Sequence, residues 1–224
     1  MPRRAVARRV HAAIGSENEE KAAAHLHVAH SLVDGQERRS FQPVDHVVVE
    51  PVGVVAAIVP WNMPQFLIVT KLVPALLAGC AVVLKPAPES PLDAALLSDM
   101  LKEVGLPDGV VSVIQGDAGV GARLVGHPGV DKVSFTGSTA TGRSVMADAA
   151  ATIKKVFLEL GGKSAFLVLD DADLAAACSV AGFSVCLHAG QGCAITTRLV
   201  VPRARYDEAV AIAAGTMGSI KAGD

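Results

Sequence analysis

From Val52 onward the chain alternates two patterns: short runs of β-branched and other apolar residues, and longer stretches whose apolar positions recur at helical spacing. The short runs predict strands at Val54 to Val59, Ala81 to Lys85, Val110 to Ile114, Lys132 to Phe135 and Lys155 to Leu160. Each is apolar on both faces, as strands inside a parallel sheet are. Helices are expected between them. The most sharply delimited one opens with Ser90 as cap and Pro91 at the first helical position, carries Leu92, Leu96, Met100 and Val104 along one stripe, and stops at Gly105 with Pro107 just beyond. One crossover helix per strand pair, with short connections, predicts an α/β fold built on a doubly wound parallel sheet, which binds ligands beyond the carboxyl ends of its strands.

Two stretches depart from this rhythm. Phe66 to Leu84 is long and apolar, but Lys71 lies inside it and Pro74 and Gly79 interrupt it, so a buried helix followed by a buried strand is expected rather than a membrane span. After Gly162 a second pattern begins: a strand at Ala165 to Leu169, a helix capped by Asp170 and reaching toward His188, a strand at Leu199 to Val201, and a helix from about Arg205. One strand pair does not close a domain, so this second unit reads as incomplete. The expected organisation is an N-terminal helical segment over residues 1–49, a dinucleotide-binding domain over 50–160, and the first part of an α/β catalytic domain over 161–224. In the N-terminal segment, Ser16 and Glu19 form a capping-box pattern for a helix to about Val33. His25, His27 and His30 lie in it, but only His27 and His30 share a face, and no metal site is expected. Arg3, Arg4, Arg8 and Arg9 stand without an acid nearby, a pattern shared with transit peptides and with solvated arginine-rich helices; the second reading is preferred.

Composition narrows the function classes. A 51% hydrophobic share in 224 residues is enough for a substantial core. A net charge of -2 with acids and bases intermixed argues against a nucleic-acid footprint and leaves small-molecule chemistry. The four cysteines, Cys80, Cys178, Cys186 and Cys193, form no CxxC pair and follow no export signal, which points to a reducing, cytoplasmic setting.

Five places can carry chemistry. Lys132 to Gly142 runs strand, glycine turn, hydroxyl pair and helix start, an arrangement that offers backbone amides to a pyrophosphate and also occurs as an ordinary connection. Lys85 ends an apolar strand, where its ammonium can hold a ribose or a phosphate, or merely cap the strand in solvent. Glu159 ends another strand before Gly161-Gly162; it either faces water or is turned into a polar cleft, where a carboxylate suits a general base. Cys193 stands among Gly190, Gly192 and Ala194, which allow close approach to the sulfur, whereas Cys80, Cys178 and Cys186 lie in apolar contexts and read as inert core. Asn62, after Pro60-Trp61, is a strand-ending turn or an amide donor to an oxyanion.

Taken in order, Pro60-Trp61-Asn62, Lys85, Phe135-Thr136-Gly137-Ser138-Thr139, Leu158-Glu159-Leu160-Gly161-Gly162-Lys163 and Gly190-Gln191-Gly192-Cys193 resemble the NAD(P)-dependent aldehyde dehydrogenase superfamily. The resemblance runs from about Glu50 to the end of the chain. It implies a Rossmann-like cofactor domain and oxidation of an aldehyde to a carboxylate with NAD or NADP through a cysteine thioester. Cys193 would be the nucleophile, Glu159 the general base and Asn62 the oxyanion donor. Ile58, Pro60, Trp61, Lys85, Gly137, Ser138, Gly142 and Gly161 would contact the cofactor. Many NAD-preferring members have a glutamate three residues after the lysine; Pro88 stands there in this chain, which leaves NADP open. Members have a longer N-terminal region, continue well past the nucleophile, and are commonly homo-oligomers. The resemblance therefore implies a truncated member, with apolar surface left for self-association or for a complementary chain. Two alternatives remain: a noncatalytic fragment, and a cysteine esterase that performs no hydride transfer.

Overall fold

The computed structural model describes residues 50–221 and residue 223. The predicted helix from Ser16, the three histidines and the arginine-rich segment lie outside the described residues. Those described fall into two compact units, dividing between Glu159 and Leu160.

The first unit is a five-stranded sheet. β1 (Val54–Ile58) is followed by α1 (Pro64–Leu77), β2 (Ala81–Lys85), α2 (Pro91–Glu103), β3 (Val111–Val113), α3 (Ala118–Gly126), β4 (Lys132–Gly137), α4 (Thr139–Ala150) and β5 (Lys155–Leu160). The strand order is β3-β2-β1-β4-β5. β1 pairs in parallel with both β2 and β4, with Ile58 opposite Lys85 on one side and Phe135 on the other. Connections run outward from β1 through α1 and α2, then return through α3 to β4 and on to β5. Right-handed crossovers therefore place α1 and α2 on one face and α3 and α4 on the other. The order reverses between β1 and β4, and this is the switch point at which such sheets hold ligands.

Burial follows position in the sheet. β1 is buried from Val55 to Ile58, and Val55, Ala57, Leu67, Ile68, Leu72, Val82, Leu84 and Ala94 form one core cluster. β5, at the edge, has exposed positions at Lys155 and Phe157 and half-buried ones elsewhere, with none fully buried, unlike the two-sided burial expected of it. Two expectations about the helices also change. In α2, Ser90 does occupy the cap position and Pro91 follows, but the Ser90 hydroxyl makes no capping bond. The stripe Leu92, Leu96, Met100 and Val104 is exposed; Ala94 is buried and Leu97 and Leu101 pack on the core. In α1, Pro74 does not break the helix, although it removes the N–H that would bond the Thr70 carbonyl. Termination comes at Gly79, in the left-handed region at φ +76°, with its N–H donated to the Leu76 carbonyl. Only one face of α1 is buried, through Leu67, Ile68, Lys71 and Leu72.

The second unit comprises β6 (Ser164–Leu167), α5 (Leu174–Cys186), a 3-10 turn (Leu187–Gly190), β7 (Thr196–Val200), a 3-10 turn (Arg203–Arg205) and α6 (Tyr206–Ser219). β6 and β7 pair in parallel as a two-stranded sheet, and Val168, Leu174, Cys178 and Ala209 form its core. The cap of α5 is Asp173, whose carboxylate accepts from the Ala176 N–H at 3.0 Å, not Asp170. Starting there buries Leu174 and Cys178, four residues apart on one face. α5 and α6 approach closely at Gly182, where a Cβ would stand 2.9 Å from the Ala213 carbonyl oxygen.

Candidate active site

The carboxyl edge of the five-stranded sheet gathers most of the residues singled out from the sequence. Ile58 ends β1, and Pro60, Trp61 and Asn62 form the turn that leads into α1. Ile58 is buried, Asn62 is half-buried and Trp61 is 47% exposed. On the other side of the switch point, Gly137 ends β4 and Ser138 caps α4. The Ser138 hydroxyl oxygen accepts from the Thr141 N–H at 3.2 Å and lies 2.9 Å from the Thr141 hydroxyl. Gly142 N–H reaches the Ser138 carbonyl at 2.9 Å, so the first-turn amides of Thr139 and Ala140 are the ones without an intrahelical acceptor. These amides and the helix dipole favour an anion. Gly137 is required by its neighbour, because a Cβ would stand 2.5 Å from the Phe135 ring. Gly142 is buried within α4.

Lys85 is 5% exposed and donates from Nζ to the Pro86 carbonyl at 3.1 Å. Burial pushes its ammonium below the usual lysine value, while the charges of Asp117 and Glu89 pull the other way. Its stem lies against α3, with the Gly121 Cβ position 3.6 Å from Lys85 Cδ and Cε.

Glu159 is half-buried at the end of β5, not fully buried. Beside it lies a residue that the sequence reading mentioned only as an interruption, Lys71. This lysine is 7% exposed, donates from Nζ to Ser134 Oγ at 3.3 Å, and stands 5.7 Å from the centre of the Phe157 ring. Desolvation lowers its pKa, and the Glu159 carboxylate opposes that shift. A charge inside an otherwise apolar run was the available signal. Thr136, on the same face of β4 as Ser134 and one step nearer the carboxyl edge, is buried, and its hydroxyl has no hydrogen-bond partner. A buried unpaired hydroxyl is costly and is expected where a ligand or water completes the site. The cradle at Gly137, the free amides of α4, the buried Lys85 and this hydroxyl together suit a phosphate-bearing nucleotide.

Gly161 and Cys193 belong to the second unit. Gly161 is exposed and outside the left-handed region. Cys193 is half-buried in the turn that precedes β7. The turn is tightly constrained: His188, Ala189 and Gly190 are all left-handed, at φ 52°, 54° and 76°, and the Gln191 N–H returns to the His188 carbonyl at 3.1 Å. A Cβ on Gly192 would stand 2.7 Å from the Ile195 side chain, which would have to move to admit it. Cys80 and Cys178 are buried as expected, and burial pushes the Cys178 thiol up. Cys186 differs from expectation: as the last residue of α5, beyond the buried positions that end at Gly182, it is half-buried rather than core. Among the described residues no cluster of three or more metal-ligating side chains occurs, and no helix is long and apolar enough to cross a membrane.

Comparison with known proteins adds an independent line. The sequence pattern of the "Aldehyde dehydrogenase family" matches residues 12–224, beginning well upstream of Glu50, where the motif reading started. A geranial dehydrogenase of Castellaniella defragrans is 50% identical over 175 residues, covering 78% of this chain and 37% of its own length. A Mycobacterium tuberculosis aldehyde dehydrogenase solved with NAD+ is 52% identical with a TM-score of 0.75, covering 78% of this chain and 36% of that one. An E. coli NADP-dependent enzyme is 46% identical, also with a TM-score of 0.75, covering 78% and 37%. The chain thus spans little more than a third of the length of these relatives.

Proposed function

The chain belongs to the aldehyde dehydrogenase family, and from that premise we propose that it carries the nucleotide-binding and nucleophile-bearing segments of an enzyme that oxidises an aldehyde to a carboxylate with NAD or NADP. The observation that carries this reading is the convergence of Asn62, Lys85, the Gly137–Ser138 turn and Glu159 on the carboxyl edge of one sheet, around its switch point. In this reading the unit ending at Glu159 holds the cofactor and the unit beginning at Leu160 supplies the thiol.

The roles follow from the chemistry of each group. The Cys193 thiolate forms a carbon–sulfur bond with the aldehyde carbonyl. The resulting oxyanion is held by the Asn62 side-chain amide and the Cys193 N–H. A nicotinamide cofactor held there would supply the acceptor for the hydride that must leave this carbon before a thioester stands on Cys193. Glu159 then takes a proton from water, whose oxygen attacks the thioester; the carbon–sulfur bond breaks, the carboxylate departs and the thiolate is restored. Lys71 provides a cation beside Glu159. Lys85 and the α4 amides hold the ribose and pyrophosphate, with Ile58, Pro60, Trp61, Gly142 and Gly161 lining the way. Four free cysteines suit a reducing, cytoplasmic setting.

The test is nicotinamide reduction on adding a mixed aldehyde pool to the 224-residue chain with NAD or NADP, with Cys193→Ala alongside. Reduction by the native chain that falls at least 1,000-fold in the variant is the expected result. Ester cleavage that needs no nucleotide would favour the esterase reading, and nucleotide binding without turnover a noncatalytic one.

A further inference from the structure

The backbone that leads to Cys193 is wound in a way its residue types disfavour. α5 ends right-handed at Cys186 and Leu187 is extended. The chain then turns the other way, with His188 at φ 52° and ψ 37°, Ala189 at φ 54° and ψ 30°, and Gly190 at φ 76°. Glycine enters the left-handed region freely. In any other residue that conformation crowds Cβ against the following carbonyl oxygen and is disfavoured by about tenfold per residue. Histidine and alanine in succession therefore weigh against this turn. Two of the hydrogen bonds that favour it end on the His188 carbonyl, one from the Gln191 N–H at 3.1 Å and one from Gln191 Nε2 at 3.3 Å. Bonds of this kind each favour a conformation by about threefold to tenfold. The opposing weights are of the same order, which is the condition for two accessible arrangements. His188, Ala189 and Gly190 are all exposed, and the core of this unit is made by Val168, Leu174, Cys178 and Ala209, so unwinding the turn uncovers no core side chain.

We propose that the left-handed turn His188–Ala189–Gly190 is a guard on the thiol: wound, it keeps Cys193 half-buried, and unwound to ordinary backbone it frees the sulfur for attack. The inference rests on the nucleophile role proposed above and adds to it a control that lies in backbone conformation. Gln191 closes the turn and Cys193 follows two residues later, before β7 begins at Thr196, so the winding sets where the sulfur sits. A group that reacts only in the open form of a segment reacts in proportion to the population of that form, provided opening and closing are fast. The reactivity of Cys193 then follows the backbone preference of the turn. Ala189 is the position at which to change that preference, because its methyl group is exposed and a substitution there alters little packing. Glycine favours the wound form, whereas valine, being β-branched, resists it more strongly than alanine does.

Alkylation by iodoacetamide at fixed pH, with each cysteine followed through its own peptide by mass spectrometry, tests this without nucleotide or aldehyde. The native chain, Ala189→Gly and Ala189→Val are compared. Cys193 is expected to react about five- to tenfold more slowly in the glycine variant than in the native chain, and at least about threefold faster in the valine variant. Cys178, in the core of the same unit, is the control for folding and should stay unreacted in all three. Where valine unfolds the unit, Cys178 reacts as well and the glycine variant decides the matter. Alkylation of Cys193 that is unchanged or faster in Ala189→Gly overturns the guard and leaves the nucleophile reading standing. A native Cys193 that reacts no faster than Cys178 overturns both.

Discussion

At the scale of single residues, the informative group is Lys71, an ammonium almost out of solvent with one hydroxyl, one ring and one carboxylate around it. Its folded pKa is lowered from 10.5, with desolvation the largest cause. Between that lowered value and 10.5 the unfolded chain holds more protons at this site than the folded one, so stability rises with pH across the window. At neutral pH the buried charge is a cost. Lys71→Met, similar in length and uncharged, is therefore expected to raise the urea midpoint at pH 7, with an advantage that shrinks as pH climbs toward 10.5. Fluorescence of Trp61, the single tryptophan and a member of the same unit, reports the transition. A variant less stable at pH 7 would show instead that Ser134, Phe157 and Glu159 more than offset desolvation. This residue also marks the limit of what the sequence disclosed. The close surroundings of Gly137 and Gly192 are local: a Cβ at either glycine meets a side chain two or three residues away. The partners of Lys71 lie on β4 and β5, and Ser134 is 63 positions along the chain. Which residues surround a buried charge at that separation is decided by strand order, and no local pattern carries it.

At the scale of elements, strands read well because a buried parallel strand is a short apolar run bounded by turn residues, and all five in the first sheet fall where expected to within two residues. Helix faces read poorly. In α2 two apolar stripes were available, Leu92, Leu96 and Met100 on one and Ala94, Leu97 and Leu101 on the other, and it is the second that meets the sheet. With leucines on both stripes the local pattern cannot choose between them, and the choice is made by how the helix is set against the sheet. The same lesson governs α5 and α6. Gly182 in mid-helix would by propensity alone be improved by alanine, a gain of about 1 kcal/mol. The Ala213 carbonyl 2.9 Å from the Cβ position reverses that expectation, because a backbone oxygen cannot rotate away. Crowding of this kind costs about 1–3 kcal/mol. Gly182→Ala is thus expected to lower stability, or at best leave it unchanged, in denaturation followed by far-ultraviolet circular dichroism. A clear gain would show that α5 and α6 can move apart.

At the scale of the whole molecule, the first unit presents two apolar stripes to solvent on neighbouring helices. On α1 these are Phe66, Val69, Val73 and Leu77, and on α2 Leu92, Leu96, Met100 and Val104. Gln65 Nε2 donates to the Asp93 carbonyl at 2.9 Å, tying the starts of the two helices together. Isolated exposed leucines are ordinary, but continuous stripes on adjoining helices mark a surface that associates. The described residues are therefore expected to self-associate in dilute buffer, and the α2 stripe is the place to interrupt it. Leu96→Glu with Met100→Lys exchanges the two central side chains, 59% and 58% exposed, for an ion pair in the favourable order along a helix. Because neither side chain is buried in the chain alone, the double substitution is expected to change its stability by no more than about 0.5 kcal/mol. Sedimentation velocity should then show a shift toward monomer at unchanged urea midpoint. A loss above about 1 kcal/mol would mean that the stripe is covered in the folded protein. Unchanged self-association at full stability would move the sticky surface to α1, where Phe66 and Val73 are the next side chains to exchange.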